Sequence, residues 1–220
     1  MDSKLPTHKD TGRENIVIFG DSISFGELVS PHRGWVVRLS ARIEDEHGDR
    51  FLTVNTSING NTTRMALERM AFDVQRYRLD MIVVQFGMND CNCWQTDQGA
   101  PRVSEAGYRA NLLEIVDRAR RFGGRRLLLM TSHPTPHRET LPMVGASYED
   151  LRRRYCGIVR DVARVADCGL IDVDAMLAGR PVDYLMPDGI HLNPLGHDLY
   201  MDLVAPPILE AARALPRRPT

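Results

Sequence analysis

With 220 residues, 43% of them apolar and 26% charged, the chain can bury one sizeable core and has an ordinary globular composition. Its 28 Lys and Arg against 29 Asp and Glu leave a formal net charge of -1, which excludes the bulk basicity of a nucleic-acid-binding protein. Cys91, Cys93, Cys156 and Cys168 are too few for a disulfide scaffold at this length, and the C-x-C at 91–93 lacks a second Cys or His pair at zinc spacing.

The first fifteen residues, MDSKLPTHKDTGREN, are polar, and the five-residue apolar run after them is too short for the core of a signal peptide. No stretch approaches the length of a membrane span, so the expectation is a cytoplasmic protein. That run, NIVIF at 15–19, is rich in β-branched residues and reads as a buried strand. FGDSISFGE follows at 19–27. Its Ser22 sits where a strand hands over to a helix, a place that suits a nucleophile and an ordinary helix cap alike.

Trp35, Val36, Leu39 and Ile43 then recur at helical spacing, and FLTV at 51–54 reads as a second strand. Met65, Leu67, Met70, Ala71 and Val74 mark the next helix, before a third strand at 80–86, DMIVVQF. Leu112, Ile115, Val116 and Ala119 form the apolar stripe of a helix over 105–121, followed by a strand at 127–131. Leu151, Tyr155, Ile158, Val162 and Val165 do the same for 148–166, ahead of a short strand at 169–172. The last helix spans 196–215, with Pro206 and Pro207 expected to kink or interrupt it. The arginine clusters at 120–121, 125–126 and 152–154 read as solvated faces.

Near-continuous apolar strands alternating with helices require burial on both sides of a sheet, hence a three-layer α/β/α sandwich with a mainly parallel five-stranded sheet. No linker or repeat divides the chain. One domain over 1–220 is expected, with its core at 15–215 and a frayed PRRPT tail at 216–220.

Four polar, Gly-bearing segments fall at one rim of such a sheet: GDS at 20–22, NTSINGNTT at 55–63, GMND at 87–90 and PDGIHLNPLGH at 187–197. Acyl transfer needs a nucleophile, a base, a carboxylate to orient the base, and donors facing the developing oxyanion. Ser22, His191 and Asp188 can supply the first three. The Ser22 and Gly60 backbone N–H groups and the Asn89 side-chain amide can supply the last. Each residue also has a plainer reading: Gly60 as a turn glycine, Asn89 or Asp90 as a cap, Asp188 as a partner for a structural His191. His197, beside Gly196, reads as a first-turn helix residue rather than a ligand.

Taken in order, the four segments resemble the blocks of the SGNH hydrolases, the GDSL esterase and lipase family. GDSIS matches at Ser22, NTSINGNTT at Gly60, GMND at Asn89 and DGIHLNPLGH at Asp188 and His191, although Asn61 stands where many members have Asp. The resemblance covers 16–215. It implies a flavodoxin-like sheet, a Ser22–His191–Asp188 triad and an oxyanion hole of Ser22, Gly60 and Asn89. No cofactor or metal is required, and the implied partner is a small-molecule, glycan or lipid ester. The G-x-S-x-G elbow of α/β-hydrolases is absent from the sequence, so a more open site is expected.

The loops at 91–104 and 133–147 would border the pocket. Their polarity, relieved by Trp94, Leu141, Met143 and Val144, favours a short acyl group, as on an O-acetylated sugar or small metabolite, over the longer chain of a lysophospholipid or thioester. Two readings of other classes stay open: a phosphoesterase whose metal is held by His133, His137, Asp90 and His191, and a carbohydrate-binding or interaction protein that has kept the fold.

Overall fold

The computed structural model describes residues 12–217, so the N-terminal eleven residues and the last three of the PRRPT tail lie outside the described residues. Strand β1 (Glu14–Gly20) is buried at every position, as its unbroken apolar run requires for a strand covered on both faces. A one-turn helix, α1 (Ser22–Phe25), follows directly, then α2 (Trp35–His47), β2 (Phe51–Asn55), α3 (Thr63–Asp73) and β3 (Leu79–Gln85). The chain continues through α4 (Glu105–Arg121) and β4 (Arg126–Met130) to a small hairpin, β5 (Thr140–Leu141) and β6 (Ala146–Ser147). The hairpin leads into α5 (Tyr148–Val165), β7 (Gly169–Ile171), α6 (Val173–Met176), α7 (Pro194–Leu203) and α8 (Ala205–Arg213).

Strands β1, β2, β3, β4 and β7 form one sheet in the order β2-β1-β3-β4-β7, every adjacent pair parallel. This is the flavodoxin-like three-layer α/β/α fold. Helices α2, α7 and α8 pack together, as do α3, α4 and α5, giving the two outer layers. A strand order that steps from β1 outward to β2 and then back past β1 to β3 opens a crevice at the carboxyl ends of β1 and β3. The opposite end of the sheet is tied by ion pairs: Arg125 bridges Glu14 and Asp80, and Arg50 joins Glu14. Among the described residues no helix is long and apolar enough to cross a membrane.

The strands and most helices lie where periodicity places them, and the differences have causes. In α3 the buried face is Thr63, Ala66 and Met70, continued by Val74, while Met65 is 40% exposed and Ala71 faces outward. The phase of that helix is set by a polar anchor, since the Thr63 N–H and hydroxyl both donate to Asp90 Oδ1. On α5, Val159 takes the buried place next to a half-buried Ile158, and Val165 is exposed. Arg152 is not solvated as its cluster suggests: it is buried, bonded twice to Glu149 and once to Asp174, and it donates to the Ser132 carbonyl. The last helical stretch divides at Val204, and Pro206 and Pro207 stand in the first turn of α8, where a missing N–H leaves no intrahelical bond unmade.

Candidate active site

Ser22 is the first residue of α1, at the carboxyl end of β1. Asp21 caps that turn, its Oδ1 accepting from the Ile23 N–H at 3.0 Å. The Asp21 carboxyl is buried, its Oδ2 has no hydrogen-bond partner among the described residues, and burial raises its pKa to about 7, with the Ile23 N–H and the nearby Gln85 amide opposing. Ser24, the other hydroxyl of the turn, faces inward and donates to Gln85 Oε1 at 2.8 Å. Only Ser22 of the pair is turned toward the rim.

The loop before α7 arrives over it. His191 Nε2 lies 2.9 Å from Ser22 Oγ, and His191 Nδ1 lies 2.6 Å from Asp188 Oδ2. Asp188 Oδ1 accepts the backbone N–H groups of Ile190 and His191 at 2.9 and 3.0 Å, so both carboxylate oxygens are engaged. Partial burial works against the charge on Asp188, but the hydrogen bonds from His191 and from the two N–H groups outweigh it and hold the carboxyl below its usual pKa. An ionised acceptor at Nδ1 keeps the proton there and leaves Nε2 to accept from the Ser22 hydroxyl. Such a chain can move a proton from hydroxyl to imidazole.

The second segment is stitched to the end of β1: Thr56 N–H donates to the Ile18 carbonyl and Ile58 N–H to the Gly20 carbonyl. Gly60 turns at φ 72, with open space where a Cβ would stand, so backbone conformation rather than crowding calls for glycine. Asn61 is buried and its Oδ1 accepts from Arg69 Nε at 2.6 Å, a bond that an Asp at this position could also accept. Asn89 follows β3 on the neighbouring loop. Its Oδ1 accepts from Arg102 Nη1 at 3.3 Å, and the guanidinium is stacked 4.8 Å over Trp94. Among the described residues, the N–H groups of Ser22 and Gly60 and the Asn89 amide nitrogen donate to no protein acceptor. The two loops are joined by the Thr63–Asp90 bonds, and burial raises the Asp90 pKa to about 6.

The family model for GDSL-like lipases and acylhydrolases matches residues 18–199. The chain belongs to that family. Membership makes it a carboxylic ester hydrolase. Esterase TesA of Pseudomonas aeruginosa is 28% identical over 178 residues, 81% of this chain and 79% of that protein. An arylesterase of Vibrio mimicus is 22% identical over 192 residues, 87% of this chain and 86% of that one. Among solved structures, a lipase/acylhydrolase from Enterococcus faecalis superposes with a TM-score of 0.73 at 23% identity, covering 94% of this chain and all of the other.

The histidines read as metal ligands in this GDSL-family chain have other partners. His133 Nδ1 meets the Tyr200 hydroxyl at 2.7 Å and Nε2 meets the Ile190 carbonyl at 2.8 Å, while His137 Nε2 donates to the Asp188 carbonyl at 2.8 Å. Both ring nitrogens of His133 are therefore engaged, and among the described residues no cluster of His, Cys, Asp or Glu is arranged for a metal. His197 is buried and its Nδ1 accepts the Trp35 N–H at 3.2 Å, a structural role. Sequence reasoning missed Arg102 altogether. It stands thirteen positions from Asn89, and no local spacing connects them.

Proposed function

We propose that residues 15–215 act as one catalytic domain, a serine esterase working through an acyl-enzyme on Ser22, with a short acyl ester of a sugar or small metabolite as substrate. The observation that carries this reading is the unbroken chain Ser22 Oγ, His191, Asp188, at 2.9 and 2.6 Å. Ser22 Oγ attacks the ester carbonyl as its proton passes to His191 Nε2, and the imidazolium forms against the Asp188 carboxylate. The negative oxygen of the tetrahedral intermediate takes hydrogen bonds from the Ser22 and Gly60 N–H groups and the Asn89 amide. Collapse expels the alcohol, which receives the proton from His191. Water then attacks the acyl-enzyme in the same way and releases the acid.

Short acyl preference is supported by the bordering loops. Leu141 and Val144 are partly buried against the core, which leaves Trp94 and Met143 as the large exposed hydrophobic side chains of the two segments. Four free cysteines suit a reducing cytoplasm. Fluorophosphonate treatment followed by mass spectrometry should find the adduct on Ser22. Turnover of p-nitrophenyl esters should fall from acetate to laurate. An adduct elsewhere removes the nucleophile assignment, and faster turnover of laurate replaces the short-acyl reading with the long-acyl one.

A further inference from the structure

The segment His133-Pro134-Thr135-Pro136-His137 takes no part in the proposed reaction, yet it touches the loop that carries His191 and Asp188 at two points. His133 is fully buried. Its Nε2–H donates to the Ile190 carbonyl, the residue before His191, and its Nδ1 accepts from the Tyr200 hydroxyl on α7. His137 Nε2–H donates to the carbonyl of Asp188 itself. Between the two bonds the Gly189 backbone lies against the Pro136 and His137 side chains: Gly189 turns at φ 67, and a Cβ there would stand 2.7 Å from Pro136 Cγ and 2.8 Å from His137 Nε2.

We propose that His133 and His137 are positioning residues, a two-point clamp on the carbonyls of Ile190 and Asp188 that sets where the His191 imidazole stands over Ser22. The clamp rests on the serine-esterase reading for its effect on rate, but its geometry does not depend on it. Inside the 188–191 turn, the Asp188 carboxylate already takes the Ile190 and His191 N–H groups and the imidazole, so those bonds fix the turn's shape. They do not fix its position relative to β1. That position comes from outside the turn. The Met186 N–H donating to the His191 carbonyl only closes the same loop on itself, whereas the two histidines reach it from the separate 133–137 segment.

The clamp is itself anchored. Thr135 donates through N–H and hydroxyl to Glu149 Oε2, the Glu149 N–H donates to the His137 carbonyl, and buried Arg152 joins Glu149 to the Ser132 carbonyl. Prolines at 134 and 136 limit the conformations open to the segment. His133, desolvated and with a pKa lowered to about 3, keeps one donor and one acceptor nitrogen at working pH, so its two bonds do not reverse. Misplacement of a catalytic group by an ångström can cost about a hundredfold in rate.

His137 is exposed and can be replaced without opening the core. In the full chain, His137→Ala should lower kcat for p-nitrophenyl acetate about tenfold with KM little changed, and should slow fluorophosphonate labelling of Ser22 by the same factor. His137→Gln, which keeps a donor near the Nε2 position, should recover most of both rates; His133→Gln should likewise exceed His133→Leu. The proton on His191 Nδ1, followed by NMR without substrate, should shift or broaden in His137→Ala and return in His137→Gln. Unchanged kcat and labelling in His137→Ala, or no rescue by Gln, overturns the clamp. If wild-type Ser22 is never labelled, the esterase reading falls instead, and the NMR signal still decides whether the clamp holds the imidazole.

Discussion

His191 Nε2 stands 2.9 Å from Ser22 Oγ although 169 positions separate the two residues in the chain. Strand β1 delivers the serine and the loop before α7 delivers the histidine, and they meet at the crevice where the strand order reverses. The same loop brings Asp188, three residues earlier, to the other ring nitrogen.

Asp188→Asn should retain the fold, because an Asn oxygen can still accept the Ile190 and His191 N–H groups, but it offers Nδ1 of His191 no anion. The ring then favours the wrong tautomer, a change that costs about 10⁴ in kcat in chymotrypsin-type serine proteases and is expected to cost about 10² to 10⁴ here. Steady-state kinetics with a matched circular dichroism spectrum checks it. A variant within a few-fold of wild type would remove Asp188 from the mechanism.

Asn89→Ala removes one proposed oxyanion donor and should lower kcat by about 10² to 10³ with a small change in KM. Arg102→Leu leaves the amide in place but frees its oxygen, so a smaller loss in the same direction is expected. The split between kcat and KM is the measurement. A raised KM with unchanged kcat would make Asn89 a substrate-binding residue.

Gly60→Ala meets no atom at its new Cβ, so its cost is conformational: a left-handed residue strained by about 1 to 2 kcal/mol. For a domain of this size that corresponds to a loss of about 2 to 8 °C in Tm. A thermal melt gives the stability term. A fall in kcat larger than the melt explains at assay temperature would mark displacement of the Gly60 N–H.

His197→Asn tests acid stability. Burial, with Arg38 assisting and Asp198 opposing, lowers the His197 pKa to about 4, against about 6.5 in an unfolded chain. Between those values the unfolded chain binds a proton that the folded one does not, so stability is present above about pH 6.5 and declines as the pH falls toward 4. Asn can accept the Trp35 N–H in place of Nδ1 without titrating. The stability difference between wild type and His197→Asn, measured by denaturant unfolding, should therefore shift by about 2 kcal/mol in favour of the variant from pH 7 to 4.5, while in both proteins His133 lowers stability and the raised carboxyls of Asp21 and Asp90 increase it as the pH falls. Parallel curves for the two proteins would exclude His197 as a source.

Local chemistry made much of this protein legible from its residues. Apolar runs such as NIVIF define strands because backbone and side chains must both be buried there, and the short interval from Asp188 to His191 encodes its own hydrogen bond, since both partners lie in one turn. The four rim segments were legible because a parallel sheet carries its loops to one end. The phase of α3, the burial of Arg152, the service of Arg102 to Asn89 and the hold of His133 and His137 on the 188–191 turn were decided only by the tertiary structure. Each depends on partners that are distant in the chain or on the direction of a long side chain. A sequence records which donors and acceptors exist, but packing decides which of them meet.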